Sequence, residues 1–213
     1  MSFPASVQYD NDEPSYHWDD KREPAASDIF ELRPPGVPER AKSIYDEYLN
    51  AVIGYQDEIA GVSRIYSLDG IMHLTEKPLE TPLLDPLDII LMIGGFSRAG
   101  MQSFTRSGLR GIGATIGEHT LSGLRSRYLA MSQAPIKFAA QPLTHMRNPH
   151  RFVPVHILRL AIMFGKRGPD PKNMKGLSMY EQAIKINGKA YVLEVLVREK
   201  DYTILHFLYK QIR

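Results

Sequence analysis

Lys185-Ile-Asn-Gly-Lys-Ala-Tyr-Val-Leu-Glu-Val-Leu-Val-Arg-Glu-Lys-Asp-Tyr-Thr-Ile-Leu-His-Phe-Leu-Tyr-Lys210 decides how this chain is read, because it spells strand, turn, strand, turn, strand. Asn187-Gly188 is a strong hairpin signal, since both central positions of a type I′ turn need positive φ and these two residues tolerate it. Beyond the turn, Tyr191, Leu193, Val195 and Val197 alternate with Val192, Glu194, Leu196 and Arg198, the period of two expected of a strand with one cleaner apolar face. On the returning strand Thr203, Leu205, Phe207 and Tyr209 form the matching apolar set.

Register decides what the second face can do, because a slip of one residue turns every side chain over. Matching the apolar faces sets Val197 against Thr203, Val195 against Leu205 and Leu193 against Phe207, leaving Glu199-Lys200-Asp201 as a three-residue loop. Glu194 then stands opposite His206, Arg198 opposite Tyr202 and Val192 opposite Leu208, with Lys210 further along. Directly opposed side chains have Cβ atoms about 4.5–5.5 Å apart. A carboxylate, an imidazole and a guanidinium on one sheet face are the groups that metal-independent RNA cleavage uses: a base for the 2′-OH, an acid for the 5′-oxygen, a cation for the phosphate. Taken alone, the pair fits an ordinary cross-strand ion pair on a solvated face better, because such pairs are common.

Charge distribution weighs toward the first reading. Residues 1–90 carry 7 basic and 18 acidic side chains, 91–150 carry 7 and 1, and 151–213 carry 12 and 5, although the whole chain is only +2. A basic end joined to an acidic segment is expected of a nucleic-acid-binding part whose partner segment adds solubility or shields it.

The 213 residues include no cysteine, which excludes disulfides, thiol catalysis and zinc sites with cysteine ligands. His145 and His150 lack metal-ligand spacing, and no HExxH, GxSxG or SxxK occurs, so neither a metal nor a cofactor is expected. No basic n-region with a long apolar run opens the chain, so no cleavable secretory signal is expected, and Ile89-Ile-Leu-Met-Ile-Gly-Gly-Phe96 is too short to span a bilayer. Residues 88–134 are expected to be helical and are rich in glycine. Gly111-Ile-Gly-Ala-Thr-Ile-Gly117 has the wrong spacing for a dinucleotide loop. Arg98, Arg106, Arg110, Arg125 and Arg127 among apolar residues allow a transient membrane contact there, beside the plainer reading of a buried helical hairpin.

Three segments are expected. Residues 1–87 form an acidic, partly disordered leader with one helix between 38 and 64, where Ala41, Ile44, Tyr45, Tyr48, Leu49 and Val52 recur at helical spacing. Residues 88–147 are the glycine-rich helical segment, and 148–213 a basic α+β domain. In that domain Pro154 and Gly165 bracket a helix over 155–164, with Ile157, Leu160, Ala161 and Phe164 as its apolar stripe. His156, Arg159 and Met163 share its other side, so His156 is either a second catalytic imidazole or a solvated surface histidine. A strand through 153–160 would separate His156 from Arg159. Gly165-Lys-Arg-Gly-Pro-Asp-Pro-Lys-Asn-Met-Lys-Gly176 follows as a punctuated basic loop whose Lys166, Arg167, Lys172 and Lys175 suit phosphate contact, or simply a charged surface.

The run from His156 to Lys210, with Gly165-Lys-Arg-Gly-Pro-Asp-Pro171, Tyr180, Asn187-Gly-Lys189 and Thr203-Ile-Leu-His-Phe207, resembles C-terminal toxin domains of bacterial polymorphic and contact-dependent toxins. In its order of helix and antiparallel meander it is similar to the barnase, EndoU, colicin and RelE-like group of metal-independent ribonucleases. The resemblance covers about the last sixty residues; the glycine-rich region before it is similar to pre-toxin segments of secreted effectors. It implies an α+β endoribonuclease acting on tRNA or another structured RNA in the cytoplasm of a target cell, and a cognate immunity protein as partner. Its catalytic histidine, arginine or lysine, and threonine or glutamate would correspond to His156 or His206, Arg159 or Arg198, and Thr203 or Glu194. Lys166, Arg167, Lys172, Lys175 and Lys210 are, from their charge, the residues expected on the RNA. A noncatalytic nucleic-acid-binding module and a protein-interaction domain are the rival expectations.

Overall fold

The computed structural model describes residues 15–16, 28–59, 62–76 and 116–212 and has a mixed α+β architecture. It divides into two compact units, Gly36–Arg125 and a second made of Met1–Pro35 with Ser126–Arg213. Residues 111–115 of the glycine loop and the apolar run 89–96 lie outside the described residues.

In the second unit, strands β9 (Leu177–Ile186), β10 (Lys189–Arg198) and β11 (Thr203–Gln211) form the expected antiparallel meander. Asn187 and Gly188 adopt φ of 51° and 78° between the paired Ile186 and Lys189, the two-residue turn read from their side chains. The strand β8 (Lys166–Pro169) and the short β2 (Phe30–Glu31) both pair with β9, so part of the acidic leader is built into this sheet. Asn187 ties it down: its Oδ1 accepts from the Ile29 N–H at 2.9 Å and its Nδ2 donates to the Asp28 carboxylate at 2.8 Å. A two-residue strand β1 (Ser15–Tyr16) pairs with β7 (Ile136–Lys137).

The helix expected between Pro154 and Gly165 is present as Val155–Phe164, with those two residues as its caps. Among the described residues two helices precede it, α1 (Glu118–Gln133), which spans the sequence boundary at Arg125/Ser126, and α2 (Ala140–His145), which makes Val155–Phe164 α3. α3 packs on β9 and β10, and α2 on β11. Leu193, Val195, Val197, Ile204 and Phe207 are buried, as are Ile157, Leu158, Leu160 and Ala161 of α3, so the apolar sheet face and the helix form one core.

The hairpin register differs from the one expected. Arg198 pairs with Thr203, Val197 with Ile204, Leu196 with His206, Val195 with Phe207 and Glu194 with Leu208. The loop is therefore four residues long, 199–202, with Tyr202 at φ 55°. The physical cause is Asp201, whose carboxylate accepts Arg198 Nε at 3.0 Å and Nη2 at 2.9 Å and the Thr203 N–H at 3.2 Å, closing the turn one residue later. That slip alone would turn the apolar set outward. A bulge between Leu196 and Val197, with Leu205 as the extra residue on β11, restores the faces at a net offset of two.

The helix expected over 38–64 is also corrected. Gly36–Arg125 contains a four-stranded antiparallel meander of β3 (Lys42–Asp46), β4 (Ala51–Ile59), β5 (Val62–Ser67) and β6 (Met72–Glu76). Asp46 starts the first turn by accepting the Tyr48 and Leu49 N–H groups, and Asn50 at φ 47° completes it. Seven successive residues of β4, Ala51 to Asp57, are buried, so both faces are covered and the period of two disappears from the sequence. Gly54 sits where a Cβ would lie 2.6 Å from the Tyr66 carbonyl oxygen and 3.2 Å from Leu124. Gly54→Ala is expected to cost about 1–3 kcal/mol, whereas Gly123→Ala, on open helix surface, is expected to add up to about 1 kcal/mol; urea midpoints of the two variants check the opposite signs.

Candidate functional site

On the second face of β10 and β11, Glu194, Leu196, His206, Leu208 and Lys210 share one side. Glu194 and His206 are diagonal rather than opposed, and the Glu194 carboxylate takes Lys210 Nζ at 2.9 Å. The directly opposed Glu194–His206 pair is thus replaced by a Glu194–Lys210 ion pair two residues along.

A different imidazole stands beside His206. The rings of His145, the last residue of α2, and His206 have centroids 6.2 Å apart, and His145 lies 5.6 Å from the Phe207 ring. Both histidines are partly exposed. Arg151 Nη1 lies 3.2 Å from His145 Nε2; a guanidinium only donates, so Nε2 accepts and the proton of the neutral ring sits on Nδ1. Burial, then the charges of Arg151 and His206, hold His145 below its ordinary value, against a hydrogen bond with the Phe207 backbone. His145 escapes a reading by linear spacing, because the α2–β11 contact joins residues that the sequence keeps far apart.

The other expected site residues are placed elsewhere. Arg198 is clamped by Asp201 and also donates to Thr203 Oγ1 at 3.0 Å, and Thr203 is fully buried. The same contacts hold the Asp201 carboxyl well below the usual range, chiefly through the Arg198 hydrogen bond. Arg159 donates to the carbonyls of Met131 and Ala134 at 3.2 and 2.9 Å, closing the C-terminal end of α1. The first part of the expected basic loop is instead strand β8, paired with β9; Lys166, Lys172 and Lys175 are exposed, while Arg167 donates to Ser178 Oγ at 2.9 Å and pairs with Glu199. Ser178 and Arg167 together lower the Glu199 carboxyl.

His156 is neither on the surface nor beside His206 in these contacts. It is 3% exposed, its ring stands 4.8 Å from that of Tyr128, and its Nε2 has no hydrogen-bond partner among the described residues. The reason is that α3 is covered on more than one side: Val155, His156, Ile157, Leu158, Leu160 and Ala161 are all buried. Burial pushes the His156 imidazole down to about 3, so the folded chain holds it neutral. The unfolded chain takes that proton near 6.5, so acid favours unfolding from 6.5 downward until the folded ring also titrates. The loss between pH 7 and pH 5 is expected to be about 2 kcal/mol from this group. His145 shifts in the same direction. Urea midpoints at the two pH values check it, and His156→Phe should remove most of the difference.

Among the described residues no group of three His, Asp or Glu side chains is placed to hold a metal ion, and no helix is long and apolar enough to cross a membrane. Set against known proteins, the chain matches no family model, no curated protein and no solved structure.

Proposed function

We propose that the chain is a metal-independent endoribonuclease whose reacting groups are His145 and His206, with Arg151 on the phosphate. The observation that carries this reading is the partly exposed imidazole pair with a guanidinium 3.2 Å from one ring. Held neutral by its surroundings, His145 is the base. The entering phosphate draws Arg151 away from Nε2, which frees the lone pair for the 2′-OH proton. The 2′-oxygen then attacks phosphorus, the bond to the 5′-oxygen breaks, and His206 gives that oxygen a proton. The products are a 2′,3′-cyclic phosphate and a 5′-hydroxyl. Arg151 stabilises the charge that builds on the pentavalent phosphorus. Lys210, positioned by Glu194, serves a neighbouring phosphate.

The basic excess of residues 91–213 supports a polyanionic substrate, structured RNA such as tRNA. As an effector of this kind the chain has a cognate immunity protein that covers the basic surface. The test is incubation of the full chain with total RNA in EDTA and analysis of the new ends. Cyclic phosphate and 5′-hydroxyl ends are expected. Salt-dependent binding without turnover would replace the enzyme by a binding module.

A further inference from the structure

A pocket of about 510 Å³ opens on the other face of the sheet, between α3 and the β10–β11 loop. Its wall includes Tyr180, which opposes Val195 on the face that carries α3, whereas His206 opposes Leu196 on the reverse face. Its size lies within the ~300–1,000 Å³ range of small-molecule sites, and such sites combine apolar walls with a few placed polar groups. Here Ile136 and Met163 supply apolar wall and the rings of Tyr180 and Tyr202 supply flat aromatic surface.

Two cations face the same space, Lys137 and Arg159. Among the described residues neither is paired with a carboxylate, since Arg159 spends its hydrogen bonds on the neutral carbonyls of Met131, Ala134 and Pro135. Those carbonyls fix the guanidinium without cancelling its charge. The acid in the wall, Asp201, is already neutralised by Arg198. The pocket is therefore net positive at one side and aromatic at another.

Tyr202 adds an independent sign. It is 59% exposed and holds φ 55° at a loop position that favours glycine or asparagine. A bulky residue in the left-handed region is uncommon and costs about 1 kcal/mol or more. An exposed ring gains little from the core to offset that cost, so its value lies in what the ring can touch.

We propose that this pocket binds a nucleoside monophosphate, with the base against Tyr202 and Tyr180 and the phosphate on Lys137 and Arg159. A flat base matches the aromatic wall, and a phosphate dianion matches two cations that have no acidic partner among the described residues. The site is separate from the His145–His206 pair and does not depend on the cleavage reaction.

Calorimetric titration of the full chain with each of the four nucleoside 5′-monophosphates tests it, beside adenosine and ribose 5-phosphate. Saturable binding of at least one monophosphate is expected, weaker for the compounds that lack the phosphate or the base. Tyr202→Gly should weaken it about 5-fold or more, since it removes a stacking ring, while leaving thermal stability equal or higher because the strained φ is relieved. Lys137→Gln should weaken binding and flatten its salt dependence. No saturable binding up to roughly 10 mM would overturn the proposal, as that excludes even weak affinity. So would unchanged affinity in both variants, or binding that His206→Ala abolishes and Tyr202→Gly leaves intact, which would move the ligand to the cleavage site. Monophosphate binding that persists in His206→Ala, in a chain that cuts no RNA, supports this pocket and removes only the enzyme reading.

Discussion

Phe207→Ala is expected to lose about 3–5 kcal/mol of stability, the largest effect of any single truncation in this sheet. The ring is 2% exposed, opposes Val195, stands 6.3 Å from the Phe138 ring and 5.6 Å from His145. Its removal leaves a void between β11, the segment after β7 and α2, and the neighbours are held by backbone contacts that restrict collapse: the Ala139 N–H donates to the Ile204 carbonyl at 2.9 Å. Urea unfolding followed by far-UV circular dichroism measures the loss. Phe207→Leu, which retains most of the volume, should cost under half as much. Equal stability of wild type and Phe207→Ala would mean that the α2–β11 contact, and the placement of His145 with it, is wrong.

The second large effect is on chemistry. A positioned general acid or base contributes about 10²–10⁴ in rate, so His206→Ala and His145→Ala should each slow RNA cleavage by at least about 100-fold. His206 is partly exposed and shares its sheet face with Glu194 and Leu208, so its truncation leaves the core face untouched and the fold should survive. His145, whose pKa lies below the ordinary 6.5, should set an acid limb in the rate profile below that pH, with cleavage rising as the ring loses its proton. The double variant should be little slower than either single one, because acid and base act on one transition state.

What the sequence makes legible here is local. Asn187-Gly188 names its own turn, and Pro154 with Gly165 brackets α3, since turn and cap preferences belong to the residues that carry them. The hairpin register is not local: it depends on how the Asp201 carboxylate folds back onto Arg198 and Thr203, and on a bulge at Leu205 that the alternation of Thr203, Leu205 and Phe207 conceals. Residues 42–76 mislead for another reason. With β4 covered on both faces, Ile44, Tyr45 and Val52 fall at spacings that imitate a helix stripe, and the better signal is the turn chemistry of Asp46 and Asn50 between β-branched and aromatic runs. Of the candidate site, His206 and the shared face with Glu194 are legible from period alone. His145 is not, because it reaches β11 only through the packing of α2.

Initial cleavage rates in EDTA, measured on a short RNA with the full chain, His206→Ala and His145→Ala side by side, test the His145–His206 site most directly. The wild type should cut without metal to give a 2′,3′-cyclic phosphate, and both variants should be slower by at least about 100-fold with unchanged circular dichroism. A His206→Ala chain that cuts at the wild-type rate, or a wild-type chain that leaves the RNA intact, would contradict it.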